Sequence, residues 1–318
     1  MGPGDPHRGG EGGVRRDTWR RDAASYPLRG EWLPRYTDVD VWQHLNNTAL
    51  ISIHGEAVQQ ALRSVFGPEA WRDSRPVLAC TGSATDFLAE AHYPAPLTWG
   101  ARVLGVDTEG VRIATALFQH DRCVGLHGAT LAGWADGQRV GLGPDQVAAL
   151  RAAQVPGADT MDPSGTLDVT AAAVPAPEHF SWRTTLAIRF ADSDAHRLAS
   201  DTFLARSAEQ MRVEFLNRVF GGQRQLLGGM MVAHVSLRWL RRGAPASPWQ
   251  LGCGVAHMGE RSVAVRGAMF EAGRCVATCE AVMVAIDRES RRSTTLTDAS
   301  RVLMEPYRLH ESHAPHRA

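Results

Sequence analysis

The chain has 318 residues, enough for two domains of ordinary size, each with its own core. Apolar content of 44 % and charged content of 21 % fit a soluble globular protein, and zero formal net charge gives no global attraction to nucleic acid or an anionic membrane. All 34 basic residues are arginine, which excludes a Schiff-base lysine and a P-loop lysine.

No apolar run approaches the ~18–20 residues that span a bilayer, and the N-terminus lacks the apolar core of a secretory signal. A cytoplasmic location is the resulting expectation, with no nucleic-acid or membrane partner.

In chain order, residues 1–26 are rich in Gly, Arg and Asp and read as a disordered tail, its arginines solvated. A first domain is expected over 27–155. It opens with a short strand near Leu28 and a polar loop. Apolar residues then recur at Leu50, Ile53, Ala57, Ala61 and Val65, a helical stripe that Gly67-Pro68 stops. Strands follow at 77–91, 97–107, 111–119 and 123–134, separated by short hinges, as in an antiparallel meander. A short helix at 144–153 leads into a Pro/Gly/Ala-rich linker over 156–180.

The second domain, 181–290, repeats the order. Its helix carries Leu204, Ala208, Met211, Phe215 and Val219 and ends at Phe220-Gly221. Its strands fall at 230–240, 250–258, 262–271 and 275–287. Residues 291–318 read as a loose polar tail. One long helix covered by a curved antiparallel sheet, made twice, defines the fold class as α+β.

The duplication is visible in the residues themselves. At a constant offset of 154, Arg35, Asp38, Asp40, Thr48, Leu50, Leu62, Val65, Phe66 and Gly67 meet identical residues at Arg189, Asp192, Asp194, Thr202, Leu204, Leu216, Val219, Phe220 and Gly221. The five cysteines (Cys80, Cys123, Cys253, Cys275 and Cys279) form no C-x-x-C pair. Four strand residues span roughly 13 Å, beyond the ~7 Å reach of a bridge between Cys275 and Cys279. All five read as reduced and mostly buried.

The stretch with chemistry is Arg35-Tyr36-Thr37-Asp38-Val39-Asp40-Val41-Trp42-Gln43-His44-Leu45-Asn46-Asn47, directly ahead of the first helix. A carboxylate at Asp40, beside the unpaired N–H groups and positive dipole end of a helix start, suits attack on a carbonyl. The carboxylate, or a water that it activates, attacks while backbone N–H groups receive the oxyanion. His44 and the Asn46/Asn47 carboxamides are placed to orient the water or the carbonyl. The structural alternatives are a turn braced by Asp38 paired with Arg35, and Asn46 or Asn47 as helix cap. No nucleophile elbow, zinc-protease motif or complete dinucleotide fingerprint occurs, and the Asp192/Asp194/His196 cluster lacks the neighbours to complete a metal shell. No metal and no organic cofactor are expected.

This motif resembles the R-Y-x-D-x-D-x-x-G-H-V-N-N pattern of hotdog-fold acyl-CoA thioesterases of the 4-hydroxybenzoyl-CoA type. Its Gln43-His44 and Asn46-Asn47 are also similar to the D-x-D-x-N-Q-H-V-N-N of plant-type acyl-ACP thioesterases, which carry two hotdog repeats in one chain. Phe87 to Leu97 is similar to the Y-L-x-P-A-x-x-G-D-P-L segment that enters the hotdog sheet. The resemblance implies two tandem hotdog repeats forming an intramolecular pseudo-dimer, leaving further homo-oligomerisation open. It also implies hydrolysis of an acyl-CoA or acyl carrier protein thioester.

By the same resemblance Asp40, His44 and Asn46 are the catalytic set, and Trp42, Gln43 and Asn47 meet the substrate. Trp42 stands where the acyl-ACP enzymes have a catalytic Asn, Gln43 replaces the bacterial glycine, and Glu56 matches a helix Glu read here as structural. In the second copy Asp194 survives, but His44 becomes Leu198 and the Asn pair becomes Ser200-Asp201, which implies a degenerate second site. The alternatives are an acyl-thioester-binding protein without turnover, favoured by Trp42, Gln43 and the eroded second copy, and a hotdog dehydratase, whose local His pattern is missing.

Overall fold

A computed structural model of the chain describes residues 18–73, 76–135, 138–155, 174–221, 229–244, 247–287, 289–290 and 292–309. Residues 1–17 of the expected tail, 156–173 of the linker and 310–318 of the C-terminal tail lie outside the described residues.

The elements are β1 (Leu28–Trp32), α1 (Asn47–Phe66), β2 (Val77–Phe87), β3 (Leu97–Val106), β4 (Val111–Gln119), β5 (Arg122–Ala135), β6 (Gln138–Val140) and α2 (Pro144–Ala152). The second half has β7 (Trp182–Leu186), α3 (Asp201–Phe220), β8 (Gly229–Trp239), β9 (Trp249–Met258), β10 (Ser262–Glu271), β11 (Arg274–Ile286) and α4 (Asp298–Met304). Most expected strand limits hold within a residue or two. The first long strand is the exception, ending at Phe87 rather than 91, and β6 was not anticipated.

The eleven strands of the described residues form one sheet in the order β1-β3-β4-β5-β2-β8-β11-β10-β9-β7, with β6 on β5. The order reads the same from either end once β1, β2, β3, β4 and β5 are matched to β7, β8, β9, β10 and β11. The two repeats therefore share a sheet through β2 and β8. The offset is 154 through the helices but 152 from the next strand onward, because the second helix-to-strand connection is two residues shorter. At that offset Ala84 corresponds to Ser236, and these two residues face each other in the β2–β8 ladder. The pseudo-two-fold axis passes there.

Each helix lies in the concave face of its own half and against the other helix. Val58 and Leu62 of α1 pack on Val103, Val111, Ile113, Ala129 and Leu131, while Leu50 and Ile53 pack with Leu97, Leu117 and Val124. Full burial of each such Leu or Ile contributes about 1.5–3 kcal/mol before the entropy of ordering is counted. Across the helix pair, Ile51 enters the core of the second repeat and Ser52 Oγ lies 3.3 Å from Thr202 Oγ1.

The outer face is covered as well, which corrects both expected tails. Residues 18–25 form two short 3-10 turns, with Arg20 buried and Trp19 packed beside Tyr26, Phe118 and Leu126. Tyr26 lies so close over Gly100 that a Cβ there would come within 2.6 Å of its ring, and Phe180 covers Gly252 in the same way at 2.6 Å. At the other end, α4 buries Met304, and Leu309 donates its N–H to Val255 O at 2.9 Å. These segments are too polar in composition to read as structured. They are ordered because a sheet wrapped round a helix leaves an apolar outer face that must be covered.

Candidate active site

The motif loop and its second copy have one backbone. Arg35 donates its backbone N–H to Asp38 Oδ2 at 2.8 Å and its Nη2 to Oδ1 at 2.9 Å; Arg189 and Asp192 repeat this at 2.7 and 3.0 Å. The Asp38 and Asp192 carboxylates are buried and brace a 3-10 turn, the structural role considered for Asp38. Asp40 N–H then donates to His44 O at 2.9 Å and Asp194 N–H to Leu198 O at 2.8 Å, closing a tight turn. Gln43 and Arg197 occupy its left-handed position, with φ of 68° and 62°. That conformation favours glycine, which accounts for the glycine in the bacterial pattern that Gln43 replaces.

The side chains in the first loop form a carboxylate–imidazole–carboxylate row. Asp40 Oδ1 accepts the Trp42 N–H at 2.8 Å, and Asp40 Oδ2 lies 3.3 Å from His44 Nδ1. On the far side, His44 Nε2 lies 3.9 Å from Glu90 Oε1. All three side chains keep between 18 % and 27 % of their exposure, enough to reach a substrate without full solvation. Glu90 comes from the segment after β2, held against the loop by the bond from Leu45 N–H to Ala91 O at 2.8 Å.

Asn46 is the cap of α1. Its Oδ1 accepts from the Thr48 N–H and the Thr48 hydroxyl, both at 2.6 Å, and its Nδ2 donates to Glu209 of the other repeat at 3.0 Å. The carboxamide thus fixes the helix start and its pairing. Asn47 opens the helix half-buried, while Trp42 and Gln43 are exposed beside the loop. The Asn47 and Ala49 N–H groups at the helix start have no acceptor among the described residues. Glu56 Oε1 accepts from Gln60 Nε2 at 3.0 Å, a bond within the helix.

Around Asp194 the surroundings are inverted. Its Oδ1 accepts the N–H groups of His196 and Leu198 at 2.9 and 3.0 Å. Its Oδ2 faces the buried Arg242 at 3.5 Å, and Arg242 also donates to Asp201 Oδ1 at 3.0 Å and to Cys80 O at 3.1 Å. Arg242 is the counterpart of Glu90. The equivalence is secured by Ala199 N–H donating to Gly243 O at 3.0 Å, matching Leu45 to Ala91. Sequence reasoning missed both residues. The two-residue contraction is the reason: an offset of 154 pairs Glu90 with Ala244, and the right offset appears only once the strands are aligned.

The cysteines are all free. Burial pushes the Cys123 and Cys275 thiols up to about 11 and Cys279 to about 12, which leaves them protonated and poor nucleophiles at neutral pH. Among the described residues no group of three or more His, Cys, Asp or Glu side chains could hold a metal ion, and no helix is long and apolar enough to cross a membrane.

Two helix-in-sheet repeats joined edge to edge in one chain, with helices paired in the concave face, constitute the double-hotdog fold. Among the solved structures with this likeness are proteins named as thioesterases. A putative oleoyl thioesterase from Lactobacillus plantarum matches with a TM-score of 0.61 and 12 % identity over 82 % of this chain and 96 % of its own. The 12:0-ACP thioesterase from Umbellularia californica matches with a TM-score of 0.62 and 12 % identity, covering 80 % and 93 %. An acyl-ACP thioesterase from Bacteroides thetaiotaomicron matches with a TM-score of 0.57 and 9 % identity, covering 80 % and 97 %. No family model and no curated protein matches the sequence.

Proposed function

We propose that the protein hydrolyses acyl thioesters, of coenzyme A or of an acyl carrier protein, at a single site built on Asp40, His44 and Glu90. The observation that carries this reading is the row in which His44 stands between Asp40 at 3.3 Å and Glu90 at 3.9 Å at the mouth of α1. The fold shared with proteins named as thioesterases supports it at the level of architecture.

In this mechanism Asp40 takes a proton from a water that attacks the thioester carbonyl, and unpaired N–H groups at the start of α1 stabilise the oxyanion. When the tetrahedral intermediate collapses, the C–S bond breaks and the sulfur leaves with a proton passed through His44. Glu90 orients the ring and steadies its charged form. Trp42 and Gln43 form the exposed lip that meets the substrate, with Asn47 beside it. Asn46 acts one step back, by holding the helix start. Asp194 contributes no turnover, because its carboxylate is tied to Arg242 and two backbone N–H groups.

The test is thiol release from a panel of acyl-CoAs and acyl carrier proteins. Asp40→Asn should remove the activity, and release unchanged by that substitution would take Asp40 out of the mechanism. Absence of release from every thioester, with binding retained, would establish the binding protein instead. A single turnover in ¹⁸O-labelled water separates the two roles of Asp40: label in Asp40 means nucleophile, while label in the product acid alone, with no acyl-Asp40 anhydride trapped by hydroxylamine, means general base.

A further inference from the structure

The inverted surroundings of Asp194 extend into a cleft of about 710 Å³ between the two repeats. Three positions of the first repeat, Asp86, Ala89 and Glu90, correspond to Arg238, Arg241 and Arg242, and all three arginines line the cleft. Arg139 of β6 and Arg274 of β11 add two more guanidinium groups, against a single carboxylate, Glu271. The described lining therefore carries four net positive charges.

Only Arg242 is held by carboxylates at short range, Asp201 at 3.0 Å and Asp194 at 3.5 Å; the other four cations are little consumed among the described residues. Arg238, Arg241 and Arg274 form no ion pair among the described residues, and Arg139 reaches only Glu109, at 3.8 Å. In the wall, two buried donors lack an acceptor: Arg242 Nε and Trp249 Nε1. Arg242 is held rigid by Asp201 and Cys80 O and lies over the Trp239 ring at 5.1 Å from its centroid. A fixed guanidinium with a free N–H, exposed or half-buried arginines at the rim and indole walls form a receptor for phosphate oxygens.

We propose that this cleft, at the non-catalytic second site, binds a small organic phosphate carrying two or more phosphate groups. The volume lies in the range of small-molecule sites. Duplication has thus yielded one acidic site for chemistry and one basic site for recognition. The inference does not depend on hydrolysis at Asp40, since it is read by binding alone.

The experiment titrates the full chain with inorganic pyrophosphate, ADP and coenzyme A, with adenosine as the uncharged control. Binding is read by calorimetry and by the fluorescence of Trp134, Trp239 and Trp249. Saturable binding of the phosphates but not of adenosine is expected. It should weaken with salt and weaken about tenfold or more in Arg238→Gln/Arg241→Gln. That variant removes unpaired side chains and should keep its Tm. If it raises KM for acyl-CoA but not for acyl carrier protein thioesters, the phosphates are those of the substrate; if KM is unmoved while ADP still binds wild type, the ligand is a separate nucleotide. No saturable binding of pyrophosphate, ADP or coenzyme A below millimolar concentration, or equal binding to the variant, overturns the proposal.

Discussion

The loops around Asp40 and Asp194 superimpose as backbone and part company as chemistry. Both carry the Arg–Asp brace, the left-handed turn residue and a capped helix. What differs is the group brought in from the segment after the β2 or β8 strand: Glu90 behind His44 in one repeat, Arg242 against Asp194 in the other. A carboxylate beside an imidazole has a neighbour able to pass protons, whereas the second is engaged by a buried guanidinium and two backbone N–H groups. A duplicated fold keeps its scaffold with few residues and changes its chemistry with fewer.

The comparison extends into the core. The first repeat buries a stacked pair, His54 and His127, with ring centroids 5.0 Å apart and each Nδ1 at 2.8 Å from a threonine hydroxyl, Thr115 and Thr85. The corresponding residues of the second repeat are Ala208 and Cys279, with Gly267 and Leu237 in place of the threonines. Burial, with a smaller contribution from Arg20, lowers His127 to about 3, and burial with the neighbouring His127 holds His54 well below its ordinary value.

The largest expected effect distinguishes the two carboxylates. Asp40→Asn should reduce thiol release by about 10²–10⁴-fold, while Asp194→Asn should change it less than twofold in the same assay. A large loss in the second variant would make the sites equivalent and break the comparison. Next come the two partners. Arg242→Gln removes the buried cation shared by Asp194 and Asp201 and should cost about 1–3 kcal/mol in denaturant unfolding, since both carboxylates are partly exposed. Glu90→Gln should leave stability unchanged, yet lower kcat.

The histidine pair gives a pH signature. Both groups are neutral in the folded chain and accept protons readily when unfolded, so their contribution is complete above pH ~6.5 and is lost as pH falls toward about 3. The loss should be on the order of a few kcal/mol over that window. Giving the first repeat the residues of the second, His54→Ala with His127→Cys, should flatten stability against pH there; an unchanged slope would remove the pair as its cause. The smallest effect is expected at the turn. Gln43→Gly and Arg197→Gly relieve a left-handed φ at matched positions and should each stabilise the chain by up to about 1 kcal/mol, measured as a rise in denaturation midpoint.

The sequence by itself determined the duplication, the α+β class and most element limits, because these rest on local information. Helical apolar spacing, glycine stops and alternating strands are written within a few neighbouring residues. It also pointed to Asp40 and His44 as neighbours, since four residues across a tight turn cannot lie far apart. Only the tertiary structure decided that Asn46 spends its carboxamide on the helix start and on Glu209, that Glu90 stands behind His44, and that Arg242 takes the same place in the second repeat. It also decided that residues 18–25 and 298–309 are ordered, by giving their few apolar side chains a sheet face to cover. Each of these depends on groups far apart in the chain meeting across a curved sheet. A contraction of two residues in one connection was enough to hide that correspondence from a reading in single register.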